Sequence, residues 1–181
     1  MFSFIKKNKK LVEYGEYPNC YYIKKEKGRY GQTHKFYITR LISIILHNKF
    51  NKETIELFNK LISVDGFDIN YKTPDGCTVL HMLVFDKYYK WLDLLLQNGA
   101  DINIQDNKGF TPIMVAVNRL NYNIFKCLLD KGADINITNK KGRDCMLHLI
   151  SISVIGNSIH GSSLIMNEII NHKMKKQIEN I

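Results

Sequence analysis

Asp106-Asn107-Lys108-Gly109-Phe110-Thr111-Pro112-Ile113-Met114-Val115-Ala116-Val117 is followed by a second apolar run, Ile124-Phe125-Lys126-Cys127-Leu128-Leu129, and then by Gly132-Ala133-Asp134-Ile135-Asn136. An Asp that opens and a Gly that closes residues 106–109 suit a type I turn. Thr111 suits a helix N-cap, and Pro112 the first helical position, where its missing N–H costs nothing. Ile113, Ala116 and Val117 recur at spacings of three and four on one helix face, and the small Ala lets a neighbouring helix approach. After a break near Asn121, a second helix carries Ile124, Phe125, Leu128 and Leu129. Gly132 ends it in the left-handed conformation that glycine adopts most cheaply.

This unit recurs. Gly66, Gly99 and Gly132 are spaced by 33 residues, as are Gly76, Gly109 and Gly142, and as are the Asp-Ile-Asn triplets that begin at Asp68, Asp101 and Asp134. Self-similarity at such a fixed period is the signature of stacked helical repeats. The two best copies are 73–105 and 106–138.

Gly76-Cys77-Thr78-Val79-Leu80-His81, Gly109-Phe110-Thr111-Pro112-Ile113 and Leu128-Leu129-Asp130-Lys131-Gly132-Ala133-Asp134-Ile135-Asn136 together resemble the ankyrin repeat. The resemblance implies an all-α solenoid of about four stacked helix-turn-helix units with short hairpin loops. Gly66, Gly76, Gly99, Gly109, Thr111, Pro112, Gly132 and Gly142 are then structural positions. His81 is implied to be a structural imidazole bonded to nearby backbone rather than a base.

Outside 73–138 the pattern diverges. Residues 34–72 keep Leu61-Ile62, Gly66 and Asp68-Ile69-Asn70 but lack the Thr-Pro turn, and are read as a first repeat with helices over 35–47 and 53–63. Residues 139–181 keep the turn Asn139-Lys140-Lys141-Gly142-Arg143-Asp144, with Asp144 able to replace Thr as N-cap. There Leu147, not His148, takes the register of His81. The Gly/Ser-rich stretch 156–163 is expected to be an inserted loop. A last helix over 164–177 is expected to turn Met166, Ile170, Met174 and Ile178 inward and Lys173, Lys175 and Lys176 outward, as a terminal cap should. Residues 1–33 are read as a basic, aromatic arm.

The 181 residues are 45% hydrophobic and 24% charged, the composition of a folded chain. Their apolar runs are far shorter than the roughly 20 residues of a membrane helix, and no membrane association is expected. The first residues lack the order of charge, apolar run and small-residue site of a signal peptide, and position 2 is not Gly. Cys20, Cys77, Cys127 and Cys145 show no paired short spacing, which fits a reducing, intracellular setting and argues against zinc or a disulfide framework.

The net charge of +9 matters through its distribution. Residues 1–35 carry +6, residues 36–139 are balanced, and residues 140–181 carry +3. Basic ends allow a nucleic-acid reading, through the Lys-rich arm and the C-terminal helix, but not one continuous phosphate-tracking groove.

Motifs for chemistry fail on inspection. Gly156-Asn157-Ser158-Ile159-His160-Gly161 has the glycine spacing of a phosphate-binding loop, yet Ser162 stands where the Lys must be. Gly28-Arg29-Tyr30-Gly31 lacks the helices and strands that would make it a nucleic-acid clamp. Ser158 and His160 have no orienting carboxylate in evidence, and no His or Cys pair has metal-ligand spacing. Asn136-Ile137-Thr138 is read as a chance glycosylation sequon. No enzyme activity, cofactor or metal is expected.

The resemblance therefore directs attention to a surface. In ankyrin repeats the turn tips and the exposed ends of the first helices line one concave face that binds other proteins. Carried onto this register, the face includes Phe85, Lys108, Phe110, Asn118, Arg119, Lys140, Lys141 and Arg143. Aromatics flanked by cations would suit an acidic, partly apolar segment of another protein, with the chain itself a monomer. Abundant Ile, Lys, Asn and Tyr with scarce Arg, Ala and Pro make the chain similar to the many-copy ankyrin proteins of giant DNA viruses. That likeness implies a host or viral partner in the host cytoplasm or nucleus.

Overall fold

The computed structural model describes residues 41, 44, 45, 50–84, 88–156 and 159–179. Among them the regular structure is helical: α1 Lys52–Ile62, α2 Val79–Leu83, α3 Tyr89–Gln97, α4 Pro112–Asn118, α5 Tyr122–Asp130, α6 Cys145–Gly156 and α7 Ile159–Glu179. The pairs α2/α3, α4/α5 and α6/α7 pack within repeats, α2, α4 and α6 stack in file, and α5 packs on α7. The arrangement is an all-helical solenoid. Leu41, Ile44 and Ile45 are helical, and Leu41 and Ile45 are completely buried. The rest of the helix expected over 35–47, the 1–33 arm and Phe85 lie outside the described residues.

Local chemistry sets the helix ends. Asn51 and Thr54 cap α1 reciprocally: Asn51 Oδ1 accepts the Thr54 N–H at 2.9 Å, and Thr54 Oγ1 accepts the Asn51 N–H at 3.1 Å. This satisfies two of the donors that every helix start leaves open. Asn121 performs the same service for α5, taking the Ile124 N–H at 3.2 Å. The expected cap at Asp144 is present, with its Oδ1 accepting the Leu147 N–H at 2.8 Å.

Between the layers runs one continuous core that includes Phe58, Leu80, Leu92, Leu95, Ile113, Phe125 and Leu128. Trp91 belongs to it, packed edge-on against Phe50 with ring centroids 4.9 Å apart. Tyr88 and Tyr122 are half-buried at its rim.

Two expectations are overturned at the C-terminal end. Of the stretch 156–163, expected to be an inserted loop, Gly156 ends α6 and residues 159–163 begin α7; residues 157 and 158 lie outside the described residues. A continuous helix of 21 residues outweighs the roughly 1 kcal/mol that a glycine costs inside it, because each added residue after nucleation brings its own hydrogen bond.

The second correction concerns which side of α7 is buried. Ile165 and Ile169 are completely buried, whereas Ile170, Met174 and Ile178 are exposed, and Met166 is only half-buried. Glu168 pairs with Lys126 of α5, and Lys173 Nζ lies 2.9 Å from Asp144 Oδ2. These two ion pairs lie on the Ile165/Ile169 side and fix the rotation of the helix. Lys173 is thus tied inward rather than facing solvent.

The glycines separate two kinds of constraint. Gly132 has φ +87° and open space where a Cβ would stand, so only its backbone conformation resists substitution. Gly109 has φ +80°, and its Cβ would stand 2.7 Å from the Lys140 backbone nitrogen, a contact that forces two repeats apart. Gly132→Ala should therefore cost about 1 kcal/mol, and Gly109→Ala clearly more. Urea unfolding of both variants checks this; equal losses would remove the close-approach account.

Candidate functional site

The turns that open successive repeats stand in a row, and backbone hydrogen bonds hold them there. Gly76, Gly109 and Gly142 each donate to the carbonyl three residues earlier, at 2.7, 3.0 and 2.8 Å, and so close the three turns. Asn107 N–H donates to the Asp75 carbonyl at 3.1 Å, and Lys140 N–H to the Lys108 carbonyl at 3.0 Å. Side chains repeat the pattern: Asn70 Oδ1 accepts the Asp101 N–H at 2.8 Å, and Asn103 Oδ1 the Asp134 N–H at 2.9 Å. Lys72 Nζ reaches the Gln105 carbonyl, and Gln105 Nε2 the Thr138 carbonyl, at 2.8 and 2.9 Å. Each link spans one repeat, so the tips form a fixed edge.

His81 ties this edge to the helices. It is completely buried, and its Nε2 lies 2.9 Å from the Phe110 carbonyl oxygen. A carbonyl can only accept, so Nε2 carries the proton. Nδ1 is then the acceptor for the Thr78 N–H at 3.2 Å and the Thr78 hydroxyl at 3.0 Å. The imidazole thus bridges the start of α2 and the Phe110 carbonyl of the next repeat. Burial lowers its pKa below 6.5, although the bond to Phe110 and the nearby Asp106 pull the other way.

One repeat further on, the network lapses. Thr111 stands at the N-cap of α4 with an extended backbone and Pro112 after it, but its side chain makes no capping bond. Its hydroxyl is buried with no partner among the described residues. The register explains this, since Met114 occupies the place of His81 and has only a weakly accepting thioether sulfur where His81 has a ring nitrogen.

The expected binding residues divide into two groups. Phe110, Asn118 and Arg143 are brought together around His148. The Phe110 and His148 rings meet edge-on with centroids 4.9 Å apart, and His148 Nε2 donates to Asn118 Oδ1 at 3.2 Å. Burial, helped by the positive charges of Arg143 and Lys141, lowers the His148 pKa. Phe110 is only half-exposed and is committed to this packing. Lys108, Arg119, Lys140 and Lys141 are exposed around it.

His148 is the residue that sequence reasoning missed. It lies at the Val115 register, with no spacing signal that marks it, and only the fold shows that Asn118 and Phe110 enclose it. Cys77 and Cys145 are buried and Cys127 half-buried, none of them in a disulfide, and burial raises the Cys127 and Cys145 pKa values, the latter to about 12. The upward shift at Cys127 and Cys145 favours the thiol over the nucleophilic thiolate. Among the described residues no group of three or more His, Cys, Asp or Glu is placed to hold a metal ion, and no helix is long and apolar enough to cross a membrane.

Stacked helix pairs with a row of hairpin tips and a Thr-His bridge between repeats define a helical repeat protein. The sequence model for ankyrin repeats (3 copies) matches residues 45–139, a little over half of the chain, and the chain belongs to the ankyrin-repeat family. No curated protein matches it.

A pH dependence follows from the two histidines. Unfolded, each takes up a proton near pH 6.5; folded, each resists protonation to lower pH. Their neutral-state stabilisation is thus complete above about 6.5 and is lost as pH falls below it. Urea unfolding should show lower stability at pH 5.5 than at 7.5, with a shallower fall in His148→Gln. An unchanged slope in that variant would show that His148 titrates freely.

Proposed function

We propose that the chain is a protein-interaction module that binds an acidic, partly apolar segment of another protein on the concave face built from the turn tips and the ends of α4 and α6. Ankyrin repeats are in general protein-interaction modules. The observation that carries the finer reading is the cationic edge. Lys108, Lys140 and Lys141 project from tips locked together by backbone bonds, Arg119 stands at the end of α4, and Arg143 with Lys141 bears on the Phe110/His148 pair. A preorganised row of this kind loses little entropy on binding, and its charge steers an acidic partner toward it.

The composition, rich in Ile, Lys, Asn and Tyr, supports a giant-virus-like origin and with it a host or viral protein as partner. Nucleic-acid association is less well supported. On the described part of the chain several lysines are already paired with carboxylates: Lys126 with Glu168 and Asp130, Lys131 with Asp93, and Lys173 with Asp144.

The test is capture of partners from nuclease-treated lysate by the wild type and by Arg119→Ala/Lys141→Ala. Phe110 is left intact because its ring supports His148. A protein retained after nuclease and weakened about tenfold or more by the variant is expected, which corresponds to the loss of about one hot-spot contact. Undiminished capture would remove the concave face, and capture abolished by nuclease would transfer the role to nucleic acid.

A further inference from the structure

His81 and His148 are both buried and both bridge repeats, but they use their rings differently. His81 engages both nitrogens, Nδ1 with Thr78 and Nε2 with the Phe110 carbonyl. His148 engages one. Its Nε2 donates to Asn118 Oδ1, whereas Nδ1 is buried with no hydrogen-bond partner among the described residues, in a residue only 6% exposed. Met82 and Val115 hold the same register in the two preceding repeats, so packing there asks only for an apolar side chain, and a buried nitrogen left unpaired costs stability. What the ring adds over Met and Val is a group that can take up a proton near neutral pH.

The surroundings of His148 supply no counter-ion for a charged ring. Arg143 and Lys141, on the turn before α6, are the charges that bear on it, and both oppose protonation. The carboxylate of that turn, Asp144, is engaged by Lys173 of α7 and by the Leu147 N–H. Asn139 stands where the preceding repeat has Asp106, and Asp106 is a charge that favours protonation of His81. From the side of α4 the ring meets Phe110 and Asn118, both uncharged. A partner with carboxylates brings what is missing. Seated on Arg143 and Lys141, it offsets the two charges that hold the proton off, and the ring takes a proton from solvent as the complex forms.

We propose that His148 makes the binding of an acidic segment to the concave face proton-linked, so that the face holds such a segment more tightly at pH 6 than at pH 7.5. This rests on the reading of that face as a site for acidic partners and adds a regulation to it. Because the bound ring accepts a proton at higher pH than the free ring, affinity rises as pH falls through the interval between the two. Partner carboxylates, which titrate near pH ~4, remain ionised there.

The probe is a capped synthetic peptide that alternates Glu with Leu, its dissociation constant measured by calorimetry at pH 6 and pH 7.5 on the full chain, on His148→Gln and on Arg119→Ala/Lys141→Ala. Gln keeps an amide donor for Asn118 but cannot take a charge. The wild type is expected to bind about twofold or more tightly at pH 6, and His148→Gln to bind equally at both. In NMR the His148 ring of the wild type is expected to titrate at higher pH with the peptide bound than without it, a readout that needs no variant. Equal wild-type affinity at the two pH values, the same pH ratio in His148→Gln, or a ring titration that the peptide leaves in place would each overturn the proton linkage while the face still binds. A peptide that binds at neither pH, or that binds Arg119→Ala/Lys141→Ala as well as the wild type, would instead overturn the reading of the face, and the linkage with it.

Discussion

One buried imidazole joins the local and the long-range order of this molecule. Thr78 begins α2 with N–H donors that the helix itself cannot satisfy, and His81, one turn on, turns Nδ1 back to its N–H and hydroxyl while Nε2 reaches the Phe110 carbonyl in the next repeat. With His81 completely buried, water cannot replace either bond, so losing the ring would strand polar groups on both sides. The same Phe110 places its ring on His148. A chain of directed contacts thus crosses three repeats and aligns the tips on which the cationic edge depends.

The register occupied by His81 shows how the stack trades one kind of stabilisation for another. Met114 holds the position by burial alone, at the expense of an unpartnered Thr111 hydroxyl, a deficit of about 1–3 kcal/mol that its apolar contacts must offset. Leu147 holds it with an apolar side chain that stands half in solvent. Moving along the solenoid, the position changes from hydrogen-bonded, to apolar and covered, to apolar and uncovered. The row of turn tips and the outer side of α6 are consequently different surfaces: one carries lysines and is locked by backbone bonds, the other exposes Leu147 and Ile150.

Most of the repeat was legible because its constraints are local. A glycine that must take positive φ, a turn closed between Asp106 and Gly109, and an N-cap followed by Pro112 all lie within a few residues of each other, and 33-residue spacing multiplies the signal. The helix at 159–163 and the rotation of α7 were not legible. That helix has apolar residues on two sides, Ile165/Ile169 and Ile170/Met174/Ile178, so periodicity alone cannot say which side is buried. Contacts 42 and 29 residues away, Lys126 to Glu168 and Asp144 to Lys173, make the choice. His148 was hidden for the same reason, since its partners Asn118 and Phe110 come from the preceding repeat.

Native-state hydrogen exchange of His81→Ala against the wild type tests the bridging role most directly. Loss of at least about 2 kcal/mol of protection is expected together in α2, in α3 and across the 106–112 turn, because the bridge serves both repeats. Loss confined to α2, or protection unchanged beyond Gly109, would show that the repeats hold together without it.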